Sequence, residues 1–312
     1  MAALERPRRL RAGDRIGIVA PSGAIPRERL DAGLDILRGW DLEPVVAPHL
    51  LDDHPSGYLA GDDRDRAADL TRMWCDPTIA AVLCARGGYG VQRMVDLLDW
   101  LAMRAALSAS GPPKALIGYS DITALHEAFA VRLGVATVHG PMCATETFLK
   151  DAATQEHLRA TLFAPEETRV IAPPTARTLV PGRAAGVLLG GCASLLASDL
   201  GTPWARRSAA GGLLALEDVG EEDYRLDRIL TQLLRSGWLD GVSGVLLGSW
   251  QDCGPYDKLR ELFLDRLGGL GVPVVEEFGF GHCPSTLTLP LGVPAVLDAD
   301  AGTLTLTDPA LV

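Results

Sequence analysis

The sequence has few cysteines, few aromatic residues and no long apolar run. Its six cysteines include no C-x-x-C pair, so they fit neither zinc-site spacing nor a small disulfide scaffold. The longest charge-free apolar stretch, residues 184–198, contains three glycines and falls short of the roughly 20 residues that a membrane span needs. The basic N-terminal segment leads into no apolar core of a secretory signal. We therefore expect reduced thiols, no metal site, no membrane partner and a cytoplasmic location.

Positive charge is also scarce. Lys+Arg 29 against Asp+Glu 40 gives a net charge of -11, which argues against a general affinity for nucleic acid. The hydrophobic share of 47% and the charged share of 22% are typical of folded globular proteins and exclude a disordered or fibrous chain. A length of 312 residues favours two domains. The partner that remains is a small molecule or a peptide.

The hydrophobic pattern predicts an α/β fold. Residues 1–163 alternate short apolar runs with segments of helical period, which is typical of βα units that build a doubly wound parallel sheet. Residues 164–183 are rich in Pro and Thr and are predicted to be a linker, and residues 184–312 a smaller, strand-rich α/β domain. The predicted strands are 16–20, 43–47, 80–85, 115–118, 136–139, 185–189, 213–216, 242–247, 272–275, 287–289, 295–297 and 303–306. In the second half, helices are predicted over 224–234 and 257–267.

Ser120 lies on a turn between a predicted buried strand and a helix. The segment Ile117-Gly-Tyr-Ser-Asp-Ile-Thr places a glycine two residues before this serine, as in a nucleophile elbow, although the second glycine of G-x-S-x-G is replaced by Ile122. A serine at the start of a helix is also a common N-cap. On this segment alone both interpretations stay open.

A nucleophilic serine needs a base and a group that orients the base. His139, at the end of the fifth strand, and His282, bracketed by Gly279, Gly281 and a proline, are the two candidate bases, and each could equally be a structural histidine. The candidate acid is Glu217, at the end of an apolar strand. Asp218 should point to the opposite face, because side chains alternate along a strand.

A second glycine-rich turn, Arg86-Gly-Gly-Tyr-Gly, again joins a strand to a helix. Free backbone N–H groups at such a turn can bind an anion or stabilise an oxyanion, although the glycines could equally serve only the turn. Neither this turn nor the one after the first strand contains G-x-G-x-x-G, so a dinucleotide site is not supported.

Seven segments in order give the chain a specific resemblance. They are Gly13-Asp-Arg-Ile-Gly-Ile-Val-Ala-Pro-Ser-Gly, Arg86-Gly-Gly-Tyr-Gly, Ile117-Gly-Tyr-Ser-Asp-Ile-Thr-Ala-Leu, His139-Gly-Pro-Met, Gly190-Gly, Leu216-Glu-Asp-Val-Gly-Glu and Gly279-Phe-Gly-His. With these segments the chain resembles the LD-carboxypeptidase family of serine peptidases, which includes muropeptide LD-carboxypeptidases and microcin C immunity peptidases. The resemblance implies a Rossmann-like N-terminal domain, a smaller α/β C-terminal domain and a homodimer.

The resemblance also implies roles for individual residues. Ser120 becomes the nucleophile, His282 the base and Glu217 the residue that orients it, with an oxyanion hole near Gly88 and Asp121. The expected reaction is hydrolysis of the amide before a C-terminal D-amino acid, as in a muropeptide tetrapeptide ending in D-Ala, without metal or cofactor. The cations expected to bind the acidic substrate include Arg86, Arg225 and Arg228, and Tyr89 is a further candidate contact.

Alternatives within and outside the family remain. A peptidyl-nucleotide peptidase of microcin C type is the nearer one, and a non-catalytic protein that binds a small ligand in the Rossmann-like cleft is the more distant one. The segment after Glu217 favours the muropeptide branch, because the immunity peptidases tend to carry a longer insertion after the acid. Cys192-Ala, where the family pattern suggests Asn-Leu, is a departure next to Gly190-Gly.

Overall fold

The chain folds around two sheets. The computed structural model describes residues 1–109 and 111–312, and within these ranges it contains a six-stranded and an eight-stranded sheet. The strands are β1 (Arg15–Val19), β2 (Glu43–Val46), β3 (Ile79–Cys84), β4 (Ala115–Gly118), β5 (Thr137–His139), β6 (Val170–Ile171), β7 (Arg177–Val180), β8 (Arg183–Cys192), β9 (Gly212–Val219), β10 (Gly244–Gln251), β11 (Val274–Glu276), β12 (Leu289–Leu291), β13 (Pro294–Asp298) and β14 (Thr303–Leu306). The helices are α1 (Arg27–Gly39), α2 (Asp63–Cys75), α3 (Val91–Met94), α4 (Trp100–Ala109), α5 (Thr123–Arg132), α6 (Glu146–Lys150), α7 (Ala152–Phe163), α8 (Ala193–Ser198), α9 (Asp223–Arg235) and α10 (Tyr256–Leu267).

The first sheet is the parallel sheet predicted for the N-terminal domain. Its strand order is β12-β5-β4-β3-β1-β2, and β1 to β5 are parallel. Every residue of β3 and β4 is buried, as expected for strands covered on both faces. The carboxyl ends of β4 and β5 lie side by side, since Gly118 pairs with His139. This arrangement places the turn that carries Ser120 at the edge of the sheet where ligands bind in open α/β folds.

The second sheet is mixed and belongs to the strand-rich C-terminal domain. Its order is β6-β14-β13-β8-β9-β10-β11-β7, with β8 to β11 parallel and antiparallel strands on both sides. Residues 164–183, predicted to be a linker, contain β6 and β7, which form the two edges of this sheet. Edge strands of two and four residues leave little periodicity in a sequence, which explains the difference. The domain boundaries themselves stay a prediction.

One strand from the C-terminal half completes the first sheet. β12 pairs antiparallel with β5, so that Leu289 faces His139. The strand was predicted at 287–289 as part of the second domain. Its place in the first sheet holds the loop between β11 and β12 against both domains, and this loop carries His282.

Helices also differ from the sequence pattern in places. The apolar residues between 91 and 101 recur with a helical period that predicts one helix, but the structure divides this stretch between α3 and α4, and Leu97 and Leu101 are exposed. The helices α6 and α7 had not been predicted. In the described ranges no helix is both long enough and apolar enough to cross a membrane.

Candidate active site

Ser120 occupies a strained turn at the end of β4. Its φ of 65° lies in the left-handed region, which non-glycine residues rarely adopt, and the one-turn 3-10 helix Ser120–Ile122 follows directly. Two neighbouring positions, Gly87 and Gly118, have no room for a side chain. A Cβ on Gly87 would lie 2.8 Å from Cβ of Ser120, and a Cβ on Gly118 would lie 2.8 Å from Cγ1 of Ile122. The strained serine between close-packed glycines is the geometry of a nucleophile elbow, and not that of an ordinary N-cap, whose residue is extended.

Glu217 and His282 form a buried pair. His282 Nδ1 lies 2.6 Å from Oε2 of Glu217, and the His282 backbone N–H donates to the same oxygen at 3.2 Å. The Glu217 side chain is fully buried, whereas 19% of the His282 side chain is exposed. Burial lowers the pKa of His282, but the charge of Glu217 and its hydrogen bond outweigh burial and leave this pKa above its ordinary value. The carboxylate fixes the proton on Nδ1 and leaves Nε2 free as a base.

Gly281 permits this contact. Its φ is +91°, and any Cβ at this position would overlap Oε2 of Glu217. Gly279 has a similar φ of +70°, but a Cβ there would meet its nearest neighbour, Cδ1 of Leu287, at 3.7 Å. The two glycines that precede His282 therefore serve different purposes. Only Gly281 leaves space for the acid.

Asp121 organises the turn predicted to stabilise an oxyanion. Its buried Oδ2 accepts hydrogen bonds from Ser22 Oγ at 2.6 Å and from the Val91 backbone N–H at 2.9 Å. Burial raises the pKa of Asp121, although both hydrogen bonds act against this shift. Gly88 lies in the same turn with a φ of +109°. Across the described chain, the backbone N–H groups of Gly88 and Asp121 make no hydrogen bond within the protein.

Asp218, the neighbour of Glu217, points the other way. Its carboxylate accepts from the Ser194 backbone N–H at 2.8 Å and from Cys192 Sγ at 3.3 Å, at the start of α8. The Cys192 backbone N–H donates to Oγ1 of Thr123 at 2.9 Å, which ties β8 to the helix after Ser120. The departure at Cys192 thus keeps a backbone link between the domains, and the strand alternation predicted for Glu217 and Asp218 is seen.

The structure distinguishes the two candidate histidines. His139 is buried, with Nε2 4.0 Å from Oε1 of Glu217, and burial together with nearby His282 lowers the pKa of His139 to about 3. His126 is also buried, and its Nε2 contacts the Gly118 carbonyl oxygen at 2.9 Å. His282 alone of these three combines a carboxylate partner with exposure, so it is the better base.

Tyr119, the residue before Ser120, packs against His282. Its ring centroid lies 4.9 Å from that of His282 and 5.8 Å from that of His139. Within the described residues Ser120 Oγ makes no hydrogen bond with His282. Catalytic hydrogen bonds are often long in the absence of substrate, and the pairing of Ser120 with His282 stays a prediction.

A cavity of about 620 Å³ opens beside His282. It is lined by Tyr119, Glu146, Thr147, Lys150, Asp151, Val219, Gln251, His282, Cys283 and Pro284. Lys150 pairs with Glu146 at the end of α6, and Asp151 caps α7 by accepting from the Thr154 N–H. The sequence did not point to Lys150, because the apolar pattern of a five-residue helix is too short to read.

The four side chains predicted to bind substrate, Arg86, Tyr89, Arg225 and Arg228, do not line this cavity. Arg86 is exposed and donates to the Ala24 carbonyl oxygen at 2.7 Å, and Arg225 pairs with Glu221 at 2.6 Å on α9. Tyr89 is exposed, with its ring 6.1 Å from that of Tyr58. Their roles stay predictions.

One group of side chains in the described residues has metal-ligand character. His49, Asp52 and Asp65 offer donor atoms that all lie within 4.8 Å of one another. His49 Nδ1 is bonded to Asp69 at 3.0 Å. The group follows β2, at the far edge of the sheet from Ser120. Exposed acidic groups often gather without an ion, and nothing connects this one to Glu217 or His282.

Comparison with known proteins shows the family of this chain. Family models described as the LD-carboxypeptidase N-terminal domain and the LD-carboxypeptidase C-terminal domain match residues 16–140 and 185–297. The chain belongs to the LD-carboxypeptidase family. A Streptomyces coelicolor protein whose name classes it provisionally as a carboxypeptidase is 70% identical over 100% of this chain and 99% of its own. The murein tetrapeptide carboxypeptidase of Pseudomonas aeruginosa is 32% identical over 92% of this chain and 94% of its own.

Solved structures place this LD-carboxypeptidase family member in the expected fold. The muramoyltetrapeptide carboxypeptidase from Oxalobacter formigenes superposes with a TM-score of 0.79 at 28% identity, over 95% of this chain and 99% of that one. The microcin C7 self-immunity protein MccF gives a TM-score of 0.85 at 23% identity, over 98% and 99%, and shows the fold alone. The predicted α/β fold, with a parallel-sheet N-terminal domain and a strand-rich C-terminal domain, is confirmed.

Proposed function

We propose that this protein is a serine-type LD-carboxypeptidase that removes a C-terminal D-amino acid from a muropeptide. One observation carries the proposal: the buried Glu217–His282 pair, with Oε2 2.6 Å from Nδ1, lies at the same edge of the fold as the strained turn of Ser120. A base held by a buried acid next to a half-buried serine is the arrangement of a triad hydrolase. The peptide substrate of this proposal is inferred from the family to which the chain belongs.

Ser120, His282 and Glu217 then divide the chemistry. Ser120 Oγ attacks the carbonyl carbon while His282 Nε2 takes the hydroxyl proton, and Glu217 stabilises the imidazolium so formed. Collapse of the tetrahedral intermediate breaks the amide bond, and His282 returns the proton to the leaving amine of the D-amino acid. Water, activated by the same histidine, then hydrolyses the ester on Ser120 and restores the enzyme.

The unpaired N–H groups of Gly88 and Asp121 support an oxyanion hole. Asp121 is the first residue after the serine, and Gly88 follows Gly87, on which an added Cβ would lie 2.8 Å from Cβ of Ser120. Asp121 holds the turn rigid through Val91, so the donors are in place before the charge develops. Removal of one such donor typically costs about 10²–10³ in kcat.

The cavity beside His282 supports a charged peptide substrate. Lys150, Glu146 and Asp151 present charges of both signs at its wall. A muropeptide carries carboxylates and, on its diamino acid, an ammonium group, so each charge of the substrate finds an opposite one. In a protein of net charge -11 a cation beside the base concentrates an acidic substrate locally.

Release of D-Ala from a muropeptide tetrapeptide, followed by mass spectrometry, tests the proposal. The wild-type protein is expected to yield tripeptide and D-Ala, and Ser120→Ala to lower kcat by about 10³-fold or more. A peptidyl-nucleotide of microcin C type and a tetrapeptide ending in L-Ala are run beside it. If only the peptidyl-nucleotide is hydrolysed, the substrate is a peptidyl-nucleotide and not a muropeptide. Binding without turnover of any of them would favour a ligand-binding protein.

The proposal includes a homodimer in the cytoplasm, as the family resemblance and the sequence predict. Light scattering coupled to size-exclusion chromatography and cell fractionation test these two points.

A further inference from the structure

Behind the catalytic pair, two buried polar groups face each other without hydrogen-bond partners. His139 Nε2 lies 4.0 Å from Oε1 of Glu217, and the two side chains are 2% and 0% exposed. In the described part of the chain, neither ring nitrogen of His139 nor Oε1 of Glu217 has a hydrogen-bond partner. Buried polar atoms are nearly always paired, so this arrangement needs a reason.

The other titratable groups around Glu217 leave Oε1 to His139. His282 occupies Oε2 with both its ring and its backbone N–H. Cys192 Sγ donates a hydrogen bond to Asp218. Cys283 Sγ donates to the Ser285 carbonyl oxygen, and burial raises the pKa of Tyr119, which remains a neutral phenol. The ring of His139 also lies near the buried ring of His126, with centroids 6.2 Å apart, and near the rings of Tyr119 and Phe280, at 5.8 and 5.7 Å.

A neutral His139 suits this position. With its pKa lowered to about 3 by burial and by the nearby His282, His139 is uncharged at neutral pH and carries one ring N–H. A carboxylate only accepts hydrogen bonds, so attraction to Oε1 requires this proton on Nε2. A neutral donor stabilises the carboxylate without repelling the imidazolium of His282.

We propose that His139 is a positioning residue of the active site, whose Nε2–H points at Oε1 of Glu217 and holds this carboxylate oriented toward His282. A movement of about 1 Å that brings Nε2 of His139 toward Oε1 of Glu217 turns their 4.0 Å separation into an ordinary hydrogen bond. The inference rests on the proposed serine-peptidase function. Without the donor, negative charge concentrates on Oε2, so the Glu217–His282 pair holds its proton to higher pH.

Two variants separate this role from packing. His139→Phe removes both ring nitrogens but keeps an aromatic ring, and His139→Gln places an amide N–H near the position of Nε2. We expect the acid limb of kcat/KM against pH to move up by about 1 unit in His139→Phe and to stay within 0.3 units, approximately, of the wild type in His139→Gln. His126→Phe is the matched control, because it removes an equally buried imidazole that does not contact Glu217, and we expect its acid limb to stay unmoved.

A measurement on the wild-type protein needs neither substrate nor a folded variant. Nitrogen-15 NMR of labelled histidines reports the tautomer of each ring and the titration of His282. The Nε2–H tautomer at His139, neutral throughout the titration, is expected. The Nδ1–H tautomer, or an acid limb that does not move in folded His139→Phe, would overturn the proposal. Failure of the proposed function shows separately, as absence of D-Ala release by the wild type while the NMR titration is unchanged.

Discussion

The Nδ1 atom of His282 lies 2.6 Å from Oε2 of Glu217, although 65 positions of sequence separate the two residues. The contact exists because β9 carries the acid in its buried interior, while the loop after β11 is held down by β12 in the other sheet. The base is thus fixed by elements of both domains, next to the serine turn of the first.

Gly281→Ala tests how closely this pair is packed. Its Cβ would overlap Oε2 of Glu217, so we expect the carboxylate to be displaced and kcat to fall by about 10²-fold or more. Gly279→Ala is the matched control, because its φ of +70° imposes a similar backbone strain while its Cβ would make only an ordinary contact, 3.7 Å from Cδ1 of Leu287. Steady-state kinetics on both variants, with thermal unfolding to confirm that they fold, provide the measurement. Equal losses in both would show that backbone strain, and not the overlap, matters.

The pH dependence of activity follows from the raised pKa of His282. His282 must be neutral to accept the proton of Ser120, and it is neutral only above its pKa. We therefore expect kcat/KM to rise with pH through a midpoint above 6.5, the ordinary value.

Glu217→Gln should move this midpoint in the opposite direction. It removes the charge that raises the pKa of His282 and leaves burial, which lowers it. The acid limb should shift to lower pH, while kcat falls by about 10⁴-fold because the imidazolium loses its partner. A pH profile of the variant that coincides with that of the wild type would contradict the assignment of Glu217.

Much of the fold could be predicted from the sequence, because buried parallel strands leave continuous apolar runs. The runs at β3 and β4 locate the sheet edge that carries Gly87 and Ser120, and the alternation along β9 predicts that only one of Glu217 and Asp218 faces the cleft. The family resemblance, and not spacing, selected His282 over His139. Nothing in the local pattern separates two histidines that both end strands or follow them.

Other features escaped prediction for physical reasons. The strands β6 and β7 are edge strands held by backbone hydrogen bonds, so their side chains carry little pattern. β12 was assigned to the wrong sheet because sequence distance does not indicate which edge a strand completes. Lys150 sits on a single helical turn, and its approach to His282 depends on contacts between distant segments.

Asp121→Ala tests the support of the oxyanion turn. The change leaves the Ser22 hydroxyl and the Val91 N–H without their acceptor, which should lower the free energy of unfolding by about 2 kcal/mol. The Gly87–Gly90 turn should also shift, so we expect kcat to fall more than KM rises. Ser22→Ala keeps the bond to Val91 and is the milder control. Urea unfolding and steady-state kinetics measure both effects, and a variant as stable and as active as the wild type would contradict this role.

Lys150→Ala tests the substrate contact in the cavity. Because Lys150 is the cation at the cavity wall, its loss should raise KM for the muropeptide by about tenfold and leave kcat nearly unchanged. Lys258→Ala removes an exposed lysine on α10 that does not line the cavity. An equal rise of KM in both variants would assign the effect to the overall charge of the protein.

Covalent labelling of Ser120 is the most direct test of the account. Wild-type protein is treated with a fluorophosphonate, digested and analysed by mass spectrometry, beside the variants Ser120→Ala and His282→Ala. The account predicts one modified serine, Ser120, in the wild type, no adduct in Ser120→Ala, and labelling slowed by about 10²-fold or more in His282→Ala. Absence of labelling at Ser120 in a wild-type protein that releases D-Ala, or labelling unaffected by the loss of His282, would contradict it.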